Sequence, residues 1–182
     1  MKTHLICIFL CAALMVFCPG FSTASVAPTG TSIPIVEDSP GHVFIHNIPA
    51  VARQFIGIPV EWGGNPAVTG TADNGYLFFS IYSLAAQKAG FSYPRYLPMK
   101  YLLKNTHPVP RKQIRNGDLM VLKDDLAAMV YRVEANGRIH LIYASGKRQR
   151  VISFNSDNLV FQVYWMENLK GFYRINADLI DP

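Results

Sequence analysis

Few residues in this 182-residue chain are of a type and spacing that could do chemistry. His140, in the run Arg138-Ile139-His140-Leu141, could act as a general base if a nucleophile stood near it, and Ser145 and Ser80 are the hydroxyls that could serve. A strand histidine satisfied by a neighbouring side chain is the commoner arrangement. Asp73 and Asn74 open a long apolar stretch, where a carboxylate and an amide could hold a ligand group at the positive end of a helix. Plain N-capping uses the same two residue types. Trp62, before Gly63 and Gly64, could line a groove for sugars or peptides; a tight turn with a packed indole is the more ordinary use, and the one expected. His42 and His46 stand four apart in an irregular stretch near Pro49 with no third ligand, so neither a metal site nor any cofactor is expected. Asp118, in Asn116-Gly117-Asp118, fixes a turn through backbone hydrogen bonds, and Arg95 suits an anionic ligand and a loop contact equally.

Thiol chemistry is confined to one place. Cys7, Cys11 and Cys18 all lie in a leader in which Lys2 and His4 precede the apolar residues 5–17 and the small residues Ser22, Thr23 and Ala24 follow. This is the pattern of a secretory signal peptide over residues 1–24, with an apolar run too short to span a membrane. Phe17 argues against a lipid anchor at Cys18, since a small residue normally precedes a lipidated cysteine. After removal of the leader no disulfide, thiolate metal site or cysteine nucleophile is available. The expected location is secreted or periplasmic, with no membrane span after signal removal. The formal charge of +5 suits anionic surfaces such as cell-wall polymer or lipid headgroups. Its short basic clusters, at Arg111, Lys112 and Arg115 and at Lys147, Arg148 and Arg150, read as solvated turns, and no nucleic-acid partner is expected.

The elements that must position these residues follow in order. Residues 25–45, rich in Pro, Thr, Ser and Gly, read as an extended arm or linker. A short helix is expected over 48–56, then a central helix from Asp73 to Gly90 with apolar residues on a wide face, then a weaker helical turn within 93–105. Beyond Asn116 the pattern alternates, which predicts strands over 119–122, 127–134, 138–144, 150–154, 159–165 and 171–175. Asn136-Gly137 predicts a two-residue type I′ hairpin. Helices first and an antiparallel sheet of about six strands afterwards make a single α+β domain over residues 46–182.

The order of motifs carries a resemblance. GIPVEWGGN at 57–65, Asp73 opening a helix that ends in KAG, NGDLMVL at 116–122, then LAAMVYRV, IHLIYASG and the closing YWMENLKGFYRI resemble the NlpC-type cell-wall peptidases over about residues 48–175. Those are papain-like cysteine hydrolases that cut peptide links in bacterial peptidoglycan. The resemblance implies a cysteine at the start of the central helix, a histidine on the sheet as its base and a polar residue on the next strand to orient that base. Asn74 stands at the nucleophile's position, with Phe78 the alternative in a register one turn later. Leu126 stands at the base's position, and Tyr143 at the orienting residue's, with His140 as a competing match. Val60 stands where the family favours Tyr. A two-residue hairpin loop would set Val130 opposite Tyr143 and Val133 opposite His140, so that Tyr143 shares a face with Leu126 and His140 points the other way. The resemblance thus implies a degenerate member whose groove, built from Trp62, Asp73, Asn74, Tyr76 and Tyr143, binds peptidoglycan stem peptides or an envelope protein partner without cutting. A cell-wall peptide hydrolase or amidase with a non-cysteine mechanism is the alternative.

Overall fold

The computed structural model describes residues 40–180. The leader and most of the arm, residues 1–39, lie outside the described residues. The first helix, α1, spans Pro40–Ala52, so residues 40–45 are helical where the sequence suggests an arm, and the helix starts well before residue 48. Proline suits a first helical turn, and Phe44, Ile48, Val51 and Ala52 form one buried stripe. Pro49 inside this helix cannot donate to the carbonyl of Ile45 four residues earlier. Asn116 meets that carbonyl instead, through Nδ2 at 3.4 Å, while its Oδ1 accepts the Val133 N–H at 2.9 Å.

The central helix α2 spans Asn74–Lys88, with Asp73 as N-cap. Leu77, Phe78, Ile81, Tyr82, Ala85 and Ala86 are all fully buried, a face too wide for a surface helix. Gly90, at φ +80°, turns the chain out of the helix. A short helix, α3, follows at Met99–Lys104.

Six antiparallel strands form one sheet: β1 Thr106–Val109, β2 Leu119–Leu122, β3 Ala127–Val133, β4 Ile139–Ser145, β5 Arg150–Asn155 and β6 Leu169–Ile175. Their spatial order is β1-β6-β2-β3-β4-β5. The α+β class with about six strands agrees with the sequence reading, but two strands differ. Residues 159–165, expected as a strand, are helical, with a π-helical turn at Phe161–Trp165. Asn158 Oδ1 accepts the Val160 N–H at 2.8 Å and starts the turn. Phe161 and Trp165, four apart, are buried, whereas Leu159, Val160, Val163 and Tyr164 are exposed. The sixth strand is β1, which contains Pro108 and pairs with β6 alone, as an edge strand with proline must.

The β3–β4 hairpin also departs from its expected turn. The Gly137 N–H bonds to the Glu134 carbonyl, and the Glu134 N–H to the Arg138 carbonyl, both at 2.9 Å. The loop is therefore Ala135-Asn136-Gly137, with Gly137 at φ +83°, a three-residue turn of the G1-bulge type. Val133 faces Ile139, and an irregularity between Val130 and Arg132 leaves Val130 opposite Leu141. The two one-residue offsets cancel, so Tyr143 still shares a face with Leu126, although it does not sit opposite Val130.

Alternation along the strands divides the core in two. Helices α1 and α2 pack against one face, which presents Leu119, Val121, Ala127, Met129, Ile142 and Ala144. The opposite face presents Met120, Leu122, Ala128, Val130 and Leu141 and is covered by Phe161 and Trp165. Both faces of β2 and β3 are buried, which is why these strands read as unbroken apolar runs.

Gly117 lies where helices and sheet meet. Its φ is +92°, and a Cβ there would stand 2.6 Å from Ile48 Cδ1. Gly117→Ala is expected to cost about 3 kcal/mol, combining backbone strain with overpacking. Gly137→Ala, at φ +83° with open space around it, should cost about 1 kcal/mol from strain alone; urea unfolding of both variants checks the difference.

Candidate functional site at the entrance of the central helix

A cleft of about 600 Å³ opens at the N-terminal end of α2. Asp73 organises it. Its Oδ1 accepts the Tyr76 N–H at 2.8 Å, capping the helix, and its Oδ2 accepts the Gly63 N–H at 3.1 Å. One carboxylate thereby ties the Trp62-Gly63-Gly64 turn to the helix. Gly64 has no alternative there, because a Cβ would stand 2.6 Å from Thr71 Oγ1. The turn holds Trp62 at the rim with 99% of its surface exposed, so the packed indole expected from the sequence is replaced by a free aromatic plate.

Asn74 is the first helical residue and is half-buried in the cleft. The last paired residues of β3 and β4 at this end are Met129 and Ile142. Two positions further on, the Ala144 N–H donates to Asn74 Oδ1 at 2.6 Å. The amide oxygen thus serves where the neighbouring strand no longer does, and Ala127 and Ala144 are both left lining the cleft. Tyr96 lies over the same helical turn, its ring stacked on Tyr76 at 3.9 Å and 6°. Gly75 makes room for it, since a Cβ would come within 2.9 Å of the Tyr96 hydroxyl. Burial raises the Tyr96 pKa, with smaller contributions from the Asp73 and Tyr76 charges.

Of the residues singled out in the sequence, Val60, Trp62, Asp73, Asn74 and Leu126 meet at this cleft. Tyr76 does not line it and instead supports Tyr96. Tyr143 is not there either. It lies on the sheet face away from α2, with its ring 5.3 Å from Trp165 and 5.9 Å from Phe154. Leu126 reaches the cleft from just before β3, yet it packs with that same far face. Ala127, one residue on, is the position that faces the helices. Phe78, the alternative nucleophile position, is fully buried in the core.

His140 is engaged elsewhere, with its Nε2 2.7 Å from Glu134 Oε1 at the far end of the hairpin. That hydrogen bond lowers the Glu134 pKa against an opposing desolvation, and the Arg138, His140 and Arg132 charges add to the lowering. Ser145 is five positions along β4, roughly 16 Å away at strand spacing. Ser80 is on α2 and lines a different pocket. His42 and His46 are exposed on α1, and among the described residues no group of three or more His, Cys, Asp or Glu could hold a metal. Nor is any helix among the described residues long and apolar enough to cross a membrane.

Sequence reasoning missed Glu61, Tyr96, Asp124 and Asp125, which also line the cleft. The only available signal was the position of Glu61 within GIPVEWGGN; the other three come from loops whose return to the helix entrance no local pattern announces. All four charged side chains in the lining are acidic, and it contains no Cys, Ser, Thr, His or Lys.

A long helix whose polar N-terminal turn abuts the central strands of an antiparallel sheet is the papain-like layout. In fold the chain is similar to a Staphylococcus aureus protein described as similar to lipoprotein, NLP/P60 family, with TM-score 0.52 and 21% identity over 72% of this chain and 41% of that one. The fold is the papain-like α+β fold of that structure. In sequence the chain is similar to the murein DD-endopeptidase MepH of Escherichia coli K12, at 26% identity over 125 residues, 67% of this chain and 42% of that protein. A superposition on the Mycobacterium tuberculosis peptidoglycan hydrolase RipB gives a TM-score of 0.48 at 17% identity, over 74% of this chain and 66% of that one. The chain therefore spans less than half the length of the E. coli and S. aureus proteins. No family model matches it.

Replacing Asn74 by Ala removes the acceptor for the Ala144 N–H. The expected loss is about 1–2 kcal/mol, with hydrogen exchange at Ala144 accelerated more than at Ile142. Uniform acceleration along β4 would contradict a local role.

Proposed function

We propose that this protein is a secreted or periplasmic, non-hydrolytic binder of peptidoglycan stem peptides, which it takes into the cleft at the entrance of α2. The observation that carries the reading is the chemistry at the helix start. An amide occupies the first helical position and its oxygen already accepts a backbone N–H, so it offers no nucleophile. Neither Leu126 nor Ala127 can move a proton. The likeness to MepH, named as a murein endopeptidase, supports a cell-wall ligand. The exposed Trp62 provides a flat apolar contact, and Glu61 and Asp124 suit ammonium groups of a peptide, whereas Asp125 is paired with Lys170 at 2.8 Å and Asp73 is engaged by the Tyr76 and Gly63 N–H groups. On this reading residues 1–24 are the export leader and 25–39 the arm, and the binding domain begins with α1 at Pro40. A serine hydrolase based on His140 has little support, since its imidazole is bound to Glu134, Ser145 lies five positions along the strand and Ser80 lines a different pocket.

Co-sedimentation with purified sacculi tests the reading. The protein is expected to pellet with sacculi at low salt, to release no soluble fragments, and to lose about tenfold in affinity on Trp62→Ala, the scale of an exposed aromatic hot spot. Zymogram clearing that persists in Asn74→Ala and disappears in His140→Ala would establish an unorthodox hydrolase instead. Failure to pellet, together with retention of an envelope protein, would favour a protein-binding scaffold.

A further inference from the structure

A second cleft, of about 500 Å³, has a different character. The first lies at the start of α2, whereas this one includes Phe91, just beyond the helix's end. Fifteen helical residues separate the two by about 22 Å. Its apolar lining includes Phe44, Phe91, Ile175 and Ile180. Its charged lining is wholly cationic, comprising Arg115 and Arg174, with His42 and His107 beside them and no acidic residue in the lining.

The two arginines are held differently. Arg174 is fixed by Asp118, which accepts from its Nε at 2.8 Å and its Nη2 at 2.9 Å, and Nη2 also donates to the Gln113 carbonyl at 2.8 Å. Asp118 is thereby neutralised within the protein. The Arg115 guanidinium has no hydrogen-bond or ion-pair partner among the described residues. Partial burial of that group, followed by the charge of Arg174, lowers its pKa, with Asp118 opposing. Arg115 is an exposed residue, so its guanidinium is free to turn toward an anion that joins it to Arg174. Gly41 and His42 of α1 form another wall. His107 Nδ1 lies 3.1 Å from Asn176 Oδ1, which fixes the ring and leaves Nε2 available.

We propose that this cleft binds an amphipathic anion, a phosphate ester whose charged group sits between Arg115 and Arg174 and whose apolar chain lies along Phe44, Phe91 and Ile180. Such a ligand is supplied by a lipid headgroup region or by a soluble phosphate ester, and both present the same chemistry. The site does not depend on the helix-entrance cleft or on its proposed role.

Calorimetric titration of the full chain with hexyl phosphate tests the proposal. Saturable one-to-one binding is expected at about millimolar affinity for a ligand of this size. Inorganic phosphate should bind at least tenfold more weakly. Arg115→Gln should weaken hexyl phosphate about tenfold or more, the usual value of a hydrogen bond to a charged group, and Arg115→Lys should recover part of the loss. Circular dichroism should show both variants folded, because the Asp118 contact uses the Arg115 main-chain N–H. Flotation with vesicles containing phosphatidic acid, abolished by Arg115→Gln, would assign the bilayer as the source; hexyl phosphate binding without flotation would assign a soluble ester. Absence of binding, equal affinity for inorganic phosphate, or indifference to Arg115→Gln would overturn the proposal.

Discussion

The turn Asn116-Gly117-Asp118 holds both long helices to the sheet. Asn116 supplies the donor that Pro49 withholds from α1 and accepts from β3 where the strand is irregular. The Gly117 carbonyl takes the Tyr82 hydroxyl of α2 at 2.6 Å, while its N–H bonds to the Val130 carbonyl at 2.8 Å. Burial, with smaller contributions from Tyr93 and Asp118, pushes the Tyr82 pKa well up and keeps this hydroxyl a neutral donor. Asp118, only 1% exposed, receives two bonds from Arg174 of β6 and one from the Arg115 N–H. Removing either partner of such a buried pair strands a charge, so β2, β3 and β6 are registered to the helices from one point.

With α2 anchored near its C-terminal half by Tyr82, its first turn is carried against β4, where Asn74 makes the second attachment. The entrance of α2 is therefore sterically well defined, and Asn74 acts there as a structural acceptor. Asp73 performs a related task on the other side by joining the cap to the Trp62 turn. The cleft owes its shape to these attachments. On the proposed reading it offers a peptide-sized groove while the bonds at its edge stabilise the fold.

Much of this was legible in the sequence because it is local. The N-cap at Asp73, the wide apolar face of α2 and the buried runs of β2 and β3 follow from spacing alone. The NlpC-type order of motifs placed Asn74 and Trp62 at one groove. What was hidden depends on distant partners. Pro49 would be expected to limit α1, but Asn116, far along the chain, repairs the lost bond. Residues 159–165 alternate well enough to read as a strand, but Asn158 and the four-residue spacing of Phe161 and Trp165 favour a helical turn. Pro108 hid an edge strand that needs only one neighbour. Tyr143 kept the side of the strand expected relative to Leu126, since turn and bulge offsets cancelled; which side faced α2 was not written in the pairing.

The most direct test is an NMR titration of the isotopically labelled protein with a soluble disaccharide tetrapeptide, following protein and ligand signals in the same tube over days. The account predicts saturable shifts at the Trp62 indole N–H, the Asn74 side-chain amide and the Ala144 N–H, with the ligand spectrum unchanged. New peptide-fragment signals, or saturable shifts confined to other surfaces, would contradict it.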